Sequence, residues 1–149
     1  MRDKVLAVSS GGGHWVQLLR LRTAFEGFNV VYATVNPDSQ LDIAGCPLYI
    51  IPDANRWTKL SLVRCMFSAL WIVIRVKPRV VITTGAAPGL FVLVFGKLLG
   101  AKTLWLDSIA NVEKMSMSGR LARWFSDQWL TQWNDLACPK GPEYKGAVM

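Results

Sequence analysis

The run Ser9-Ser10-Gly11-Gly12-Gly13-His14 combines residue types that suit one kind of chemistry. Three adjacent glycines clear side chains from a place where backbone must approach a ligand. If a helix starts there, its first N–H groups point outward and its dipole favours an anion. Triple glycine also loses much backbone entropy on folding, which a ligand-free turn does not require. Ser10, Gly11, Gly12 and Gly13 are therefore expected to cradle a phosphate-bearing group. The common nucleotide fingerprints do not fit. G-x-G-x-x-G counted from Gly11 needs a glycine where Val16 stands, and a P-loop needs Lys and then Ser or Thr where His14 and Trp15 follow Gly13. His14 is the single histidine of the chain. A lone histidine is usually structural, but at a helix start beside glycines its ring can face ligand and accept a proton.

Two further segments carry the same kind of signal: a second glycine turn, Thr84-Gly85-Ala86-Ala87-Pro88-Gly89, and the pair Asp107-Ser108. The surrounding pattern says how they would be placed. Val5–Val8 is a short, continuous apolar run before the first glycines, the mark of a strand covered on both faces. The spacing predicts a helix over His14–Phe25 closed by Gly27, strands at Asn29–Val35 and Pro47–Ile51, a long helix at Trp57–Lys77 stopped by Pro78, and a strand at Arg79–Thr84. It then predicts a helix at Leu90–Leu99, a strand at Lys102–Leu106, a short helix at Gly119–Ser126 and a strand at Trp129–Gln132. A last strand is expected at Gly146–Val148, inside a Pro/Gly-rich tail that runs from Asn134 to Met149. Strands alternating with helices mean an α/β, Rossmann-like, doubly wound parallel sheet, here one domain over residues 1–149. Ligands bind such sheets beyond the carboxyl ends of the strands. The three segments, far apart in sequence, should thus share one edge.

Composition narrows the function classes. The chain has 149 residues, 52% hydrophobic and 18% charged, with a formal net charge of +7. The positive residues flank apolar stretches and form no polar basic run, which favours a membrane surface or phosphate ligand over nucleic acid. Three cysteines without a CxxC, and no Cys/His cluster, give no metal site and fit a reducing cytosol. The opening residues lack the pattern of a signal peptide. In Leu60–Val76 the uninterrupted apolar run, Cys65–Ile74, is too short for about 30 Å of hydrocarbon. A helix lying in the interface is expected instead, with Trp57 and Trp71 at headgroup level and Arg64 and Arg75 reaching to water. A core helix packed on the sheet is the alternative, and both hold if one face looks inward. Asn55, Arg56, Asn111 and Glu113 are expected on the surface.

Taken together, the motifs resemble a known group. Gly11-Gly12-Gly13-His14 is similar to the G-x-G-G-H loop of acceptor-binding domains in GT-B glycosyltransferases, in particular the Alg14-like proteins and the N-terminal half of MurG. Thr84–Gly89 resembles that group's second glycine loop. Asp107 at a strand end, then Ser118-Gly119-Arg120-Leu121 and Thr131-Gln132-Trp133, resemble a stretch of Alg14 proteins in order. The acid, commonly Glu in the family, is Asp here. The resemblance implies the N-terminal half of a GT-B fold and half of an enzyme. Family members bind a polyprenyl-diphosphate-linked acceptor and recruit an Alg13-like subunit that binds the UDP-sugar. By that resemblance Ser10, Gly11, Gly12, Gly13, Thr84, Gly85, Ala86 and Gly89 would hold the acceptor diphosphate. His14 and Asp107 would be the candidate bases of an inverting transfer that uses no cofactor. The chain looks like the bacterial form of exopolysaccharide pathways, on the cytoplasmic face of the inner membrane, with the tail at about 134–149 meeting the partner. A stand-alone transferase, a nucleotide-binding module and a non-catalytic scaffold are the rival readings.

Overall fold

Strand β1 (Lys4–Ser9) is buried from Val5 onward, so it shows no polar alternation: both of its faces are covered. It lies at the centre of the sheet in the computed structural model, which describes residues 2–54 and 57–148; Asn55 and Arg56 lie outside the described residues. The other strands are β2 (Asn29–Thr34), β3 (Leu48–Ile50), β4 (Val80–Gly85), β5 (Lys102–Leu106), β6 (Gln128–Thr131) and β7 (Glu143–Tyr144). All pair in parallel, in the order β3-β2-β1-β4-β5-β6-β7. The chain runs outward through β2 and β3 and then returns to β4 beside β1. The switch point therefore lies between β1 and β4, where Ser9 pairs with Gly85 after a register irregularity.

Helices α1 (Gly13–Arg20), α2 (Lys59–Val76), α3 (Ala86–Leu98) and α4 (Met117–Ala122) complete the layers. On one face, Cys65, Ala69, Ile72 and Val73 of α2 and Val92 and Leu93 of α3 pack on Leu6, Val8, Val81 and Trp105. On the other, Trp15 and Leu18 of α1 join Phe25, Tyr32 and Ile43 over Ala7. The α/β, Rossmann-like, doubly wound sheet expected from the sequence is thus the fold.

Most strands and helices shift by only one or two residues from expectation, and other differences have a physical cause. The first helix stops at Arg20 and tightens into a 3-10 turn over Arg22–Phe25, as the Leu21 N–H bonds to Leu18 O. The segment Ala86–Gly89 is not a turn but the start of α3. Pro88 falls in the first helical turn, where its missing N–H costs nothing. The short helix begins at Met117 and breaks to 3-10 at Arg123–Phe125. The last strand is Glu143–Tyr144 rather than Gly146–Val148; Gly146 turns the chain away at φ 116°, and Val148 bonds a side chain instead of a strand.

Candidate functional site

The first glycine loop joins β1 to α1 directly. Gly12, at φ 65° and ψ −135°, is the position there that requires glycine, and it caps α1 without any side-chain hydrogen bond. A Cβ at Gly12 or Gly13 would meet open space, so the loop's outer side is free for a ligand. The first turn of α1 contains no acidic residue that would compete for its N–H groups. Ser9 lies wholly buried at the root of the loop, and its hydroxyl has no hydrogen-bond partner among the described residues.

Two hydrogen bonds tie this loop to the second. His14 Nδ1 lies 3.0 Å from Thr84 O, and Thr84 Oγ1 donates to His14 O at 2.6 Å. A carbonyl only accepts, so Nδ1 donates this bond, and in the neutral ring that leaves the lone pair on Nε2. Gly85 makes room for the ring: a Cβ there would fall 2.9 Å from His14 Nδ1, and its φ of 130° suits glycine alone. Next to it Ala86 holds φ 65°, a costly conformation for a residue with a side chain.

His14 lines a cavity of about 250 Å³ with Ala86, Ser108, Asn111, Ser116 and Ser118. The structure thus brings together His14, the second loop and the residue after Asp107. Larger cavities lie elsewhere, at the ends of α2 and α3 and between α1 and the tail, away from the glycine loops.

Asp107 itself is turned into the fold. It is 1% exposed. Oδ1 accepts from Trp105 Nε1 at 3.1 Å and Ser116 Oγ at 2.6 Å; Oδ2 accepts from Asn111 Nδ2 at 3.0 Å and Ser116 N at 2.9 Å. Both oxygens are engaged, so the acid braces the pocket wall rather than facing the pocket. Gly119 permits this, because a Cβ there would lie 2.5 Å from Asp107 Oδ1.

Gly89 lies apart from the loop. It is buried inside α3, a Cβ on it would strike Thr83 Oγ1, and its N–H lies beyond the unpaired first turn. With Gly96, whose Cβ would come 2.6 Å from Val81 Cγ2, it lets α3 lie close on β4. Asn111, read as a surface residue, is half-buried and holds Asp107, whereas Glu113 is exposed as expected. Sequence reasoning missed Ser116 and Ser118 in the pocket. The signal available was Ser116 three residues before Gly119: its hydroxyl accepts from Gly119 N and caps α4.

Of the residues expected to meet a membrane, Trp57 and Trp71 are 80% and 58% exposed, and Arg64 and Arg75 are exposed on α2. Among the described residues, no helix is long and apolar enough to cross a membrane.

A Rossmann-like sheet with glycine loops at its switch point is the architecture of the N-terminal half of a GT-B protein. The structure superposes on MurG of Acinetobacter baumannii with a TM-score of 0.69 at 16% identity, covering 98% of this chain and 45% of that one. It superposes equally, at 0.69 and 12% identity, on a UDP-N-acetylglucosamine 2-epimerase from Rickettsia bellii, covering 91% of this chain and 40% of that one. At such identities the likeness is one of fold.

The chain belongs to the Alg14-like family: residues 53–148 match the family described as oligosaccharide biosynthesis protein Alg14 like. The UDP-N-acetylglucosamine transferase subunit alg14 of Schizosaccharomyces pombe is 26% identical over 174 residues, covering 97% of this chain and 82% of that protein. Its Mus musculus counterpart is 27% identical over 166 residues, covering 89% and 76%.

Proposed function

We propose that this chain is the acceptor-binding subunit of a heteromeric, inverting glycosyltransferase, transferring a sugar from a UDP-sugar to a polyprenyl-diphosphate-linked saccharide in polysaccharide biosynthesis. One observation carries the reading: His14 is clamped between two glycine loops at the switch point, on the wall of a hydroxyl-lined pocket. The relatives named as transferase subunits support a role as one part of an enzyme. The donor site would then belong to an Alg13-like partner, met in part by the tail at about 134–149. The outer face of α2, with Arg64, Trp71 and Arg75, and Trp57 just before it, would rest on the cytoplasmic side of the bacterial inner membrane.

In this mechanism Ser10, Gly11, Gly12, Gly13, Thr84, Gly85 and Ala86 surround the acceptor diphosphate, chiefly through backbone N–H groups. The acceptor hydroxyl attacks the anomeric carbon of the donor. The new C–O bond forms as the bond to UDP breaks, UDP leaves with that electron pair, and the hydroxyl proton passes to His14 Nε2. Thr84 O holds the ring in the tautomer that leaves Nε2 able to accept it. Asp107 acts one layer back, as a positioning residue for Ser116 and Asn111. Its burial and its hydrogen bonds to Trp105, Asn111 and Ser116 favour that part for Asp107 and give His14 the role of base in this proposal.

The test is transfer by the pair reconstituted with its donor-binding subunit in lipid vesicles. His14→Ala should lower kcat by about 100-fold or more, the usual worth of a general base, while complex formation persists. Near wild-type transfer by that variant would remove the mechanism. Persistent transfer by loop variants, so long as the complex forms, would favour a scaffold.

A further inference from the structure

The segment Thr131-Gln132-Trp133 has no part in the chemistry above, yet its side chains reach the pocket wall. Gln132 follows β6 and is 2% exposed; Gln17, one turn beyond His14 on α1, is 5% exposed. Gln132 Nε2 donates to Gln17 Oε1 at 2.5 Å and to Asp107 O at 2.9 Å. Gln17 Oε1 also accepts from Ile109 N at 3.2 Å, and Gln17 Nε2 donates to Ser108 Oγ at 3.4 Å. Trp133 Nε1 donates to Ile109 O at 2.7 Å. The Ile109 residue is thus held at its N–H by α1 and at its carbonyl by the chain after β6. The remaining Gln132 atom, Oε1, accepts from Val148 N at 2.7 Å, and Arg20 Nη1 reaches Val148 O at 3.5 Å.

Two leucines could fill this space but would leave the backbone groups bonded to these amides without those partners. What two amides add is a fixed place for three backbone groups from separate segments: Asp107 C=O, Ile109 N–H and Val148 N–H. Two of these belong to the strand end and loop that carry Ser108 and Asn111 into the pocket beside His14.

The geometry points to Gln132 and Gln17 as positioning residues for the pocket wall beside His14, with the C-terminal tail as the third member of the relay. The proposal rests on the reading of that pocket as the acceptor site. It follows that anything docking on the tail acts on the wall through Gln132 Oε1, without touching the pocket.

Amide hydrogen exchange of the full chain, followed by NMR, tests the relay without any partner. Gln132→Glu keeps the shape but removes both donors, and truncation after Lys145 removes the Val148 bond. Each should speed exchange at Ile109 by about tenfold, while Leu6 in β1 keeps its protection. The double variant Gln17→Leu/Gln132→Leu removes the partners of Asp107 C=O, Ile109 N–H and Val148 N–H together, and should likewise leave Ile109 fast. If Gln132→Glu does not fold, Trp133→Phe, which removes the indole N–H along with part of the ring, replaces it and should also speed exchange around Ile109.

Unchanged exchange at Ile109, or acceleration of Leu6 and Ile109 in step, overturns the proposal. In the reconstituted pair, Gln132→Glu should raise the acceptor KM about tenfold with the donor KM unchanged; an unchanged acceptor KM would also count against it. Should His14→Ala transfer normally while Ile109 responds as expected, the acceptor-site reading fails and the relay stands.

Discussion

At the residue scale the site depends on a ring and the space left for it. His14 is held from two directions by Thr84, one bond to its side chain and one to its carbonyl, and these bonds tie the two glycine loops to each other. Gly85 is the gap into which the ring fits. Gly85→Ala would place a methyl 2.9 Å from Nδ1, and at φ 130° the backbone would also be strained, by about 1–3 kcal/mol. The ring must then swing off Thr84 O. The expected outcome is loss of transfer approaching that of His14→Ala with modest loss of stability, read by comparing kcat with the urea midpoint. Gly89→Ala should do the reverse: the new methyl strikes Thr83 in the core, so stability falls by several kcal/mol before the site is touched. Equal effects of the two variants on kcat and stability would refute this division of labour.

At the element scale, β5, β6 and α3 are fastened by one carboxylate. Asp127 Oδ1 accepts from Lys97 Nζ at 2.5 Å, and Oδ2 accepts from Thr103 N at 2.9 Å and from Thr103 Oγ1 at 3.3 Å. The Lys97 hydrogen bond, more than the Thr103 amide and the Lys97 charge, holds the carboxyl below its usual range against the opposing pull of burial. Because the folded value is the lower one, the contribution is complete above the ordinary carboxylate range and is lost as pH falls through the lowered value. Asp127→Asn should therefore flatten the acid limb of the stability curve below about pH 4, by at most about 1 kcal/mol for so accessible a pair. Urea titrations at stepped pH read this, and parallel limbs would dismiss it.

The elements themselves were largely legible in the residues. Short apolar runs before Gly11 and Gly85 marked β1 and β4, and Pro78 and Gly100 marked helix ends. What was hidden depended on tertiary contact. Pro88 and Gly89 look like turn residues until α3 packs on Thr83. Asp107 at a strand end looks exposed until Ser116 and Asn111 fold over it. Gln17 and Gln132, 115 residues apart, have no local pattern that announces their bond.

At the scale of the whole molecule, α2 carries apolar residues on both of its faces, with basic residues among the outer ones. Cys65, Ala69, Ile72, Val73 and Val76 face the sheet, which satisfies the core reading of this helix. Leu60, Phe67, Trp71 and Ile74 recur on the opposite side at 69%, 61%, 58% and 52% exposure, with Arg64 and Arg75 beside them. A helix that buries one stripe in its own core and leaves a second apolar stripe open suits an interface, where aromatics sit among headgroups and arginines reach to phosphate. Anionic lipid would add attraction for a chain of net charge +7, and salt would weaken that part but not the apolar part. Flotation with phosphatidylglycerol/phosphatidylethanolamine vesicles separates the two. Phe67→Ser/Trp71→Ser should cut vesicle binding by about tenfold or more at any salt. Arg64→Gln/Arg75→Gln should weaken it at low salt and leave the residual binding in high salt unchanged. Both pairs are exposed, so the unfolding free energy from urea titration should hold within about 0.5 kcal/mol. If the Phe67/Trp71 variant floats like the wild type, the outer stripe of α2 does not meet lipid, and the membrane reading of this helix is wrong.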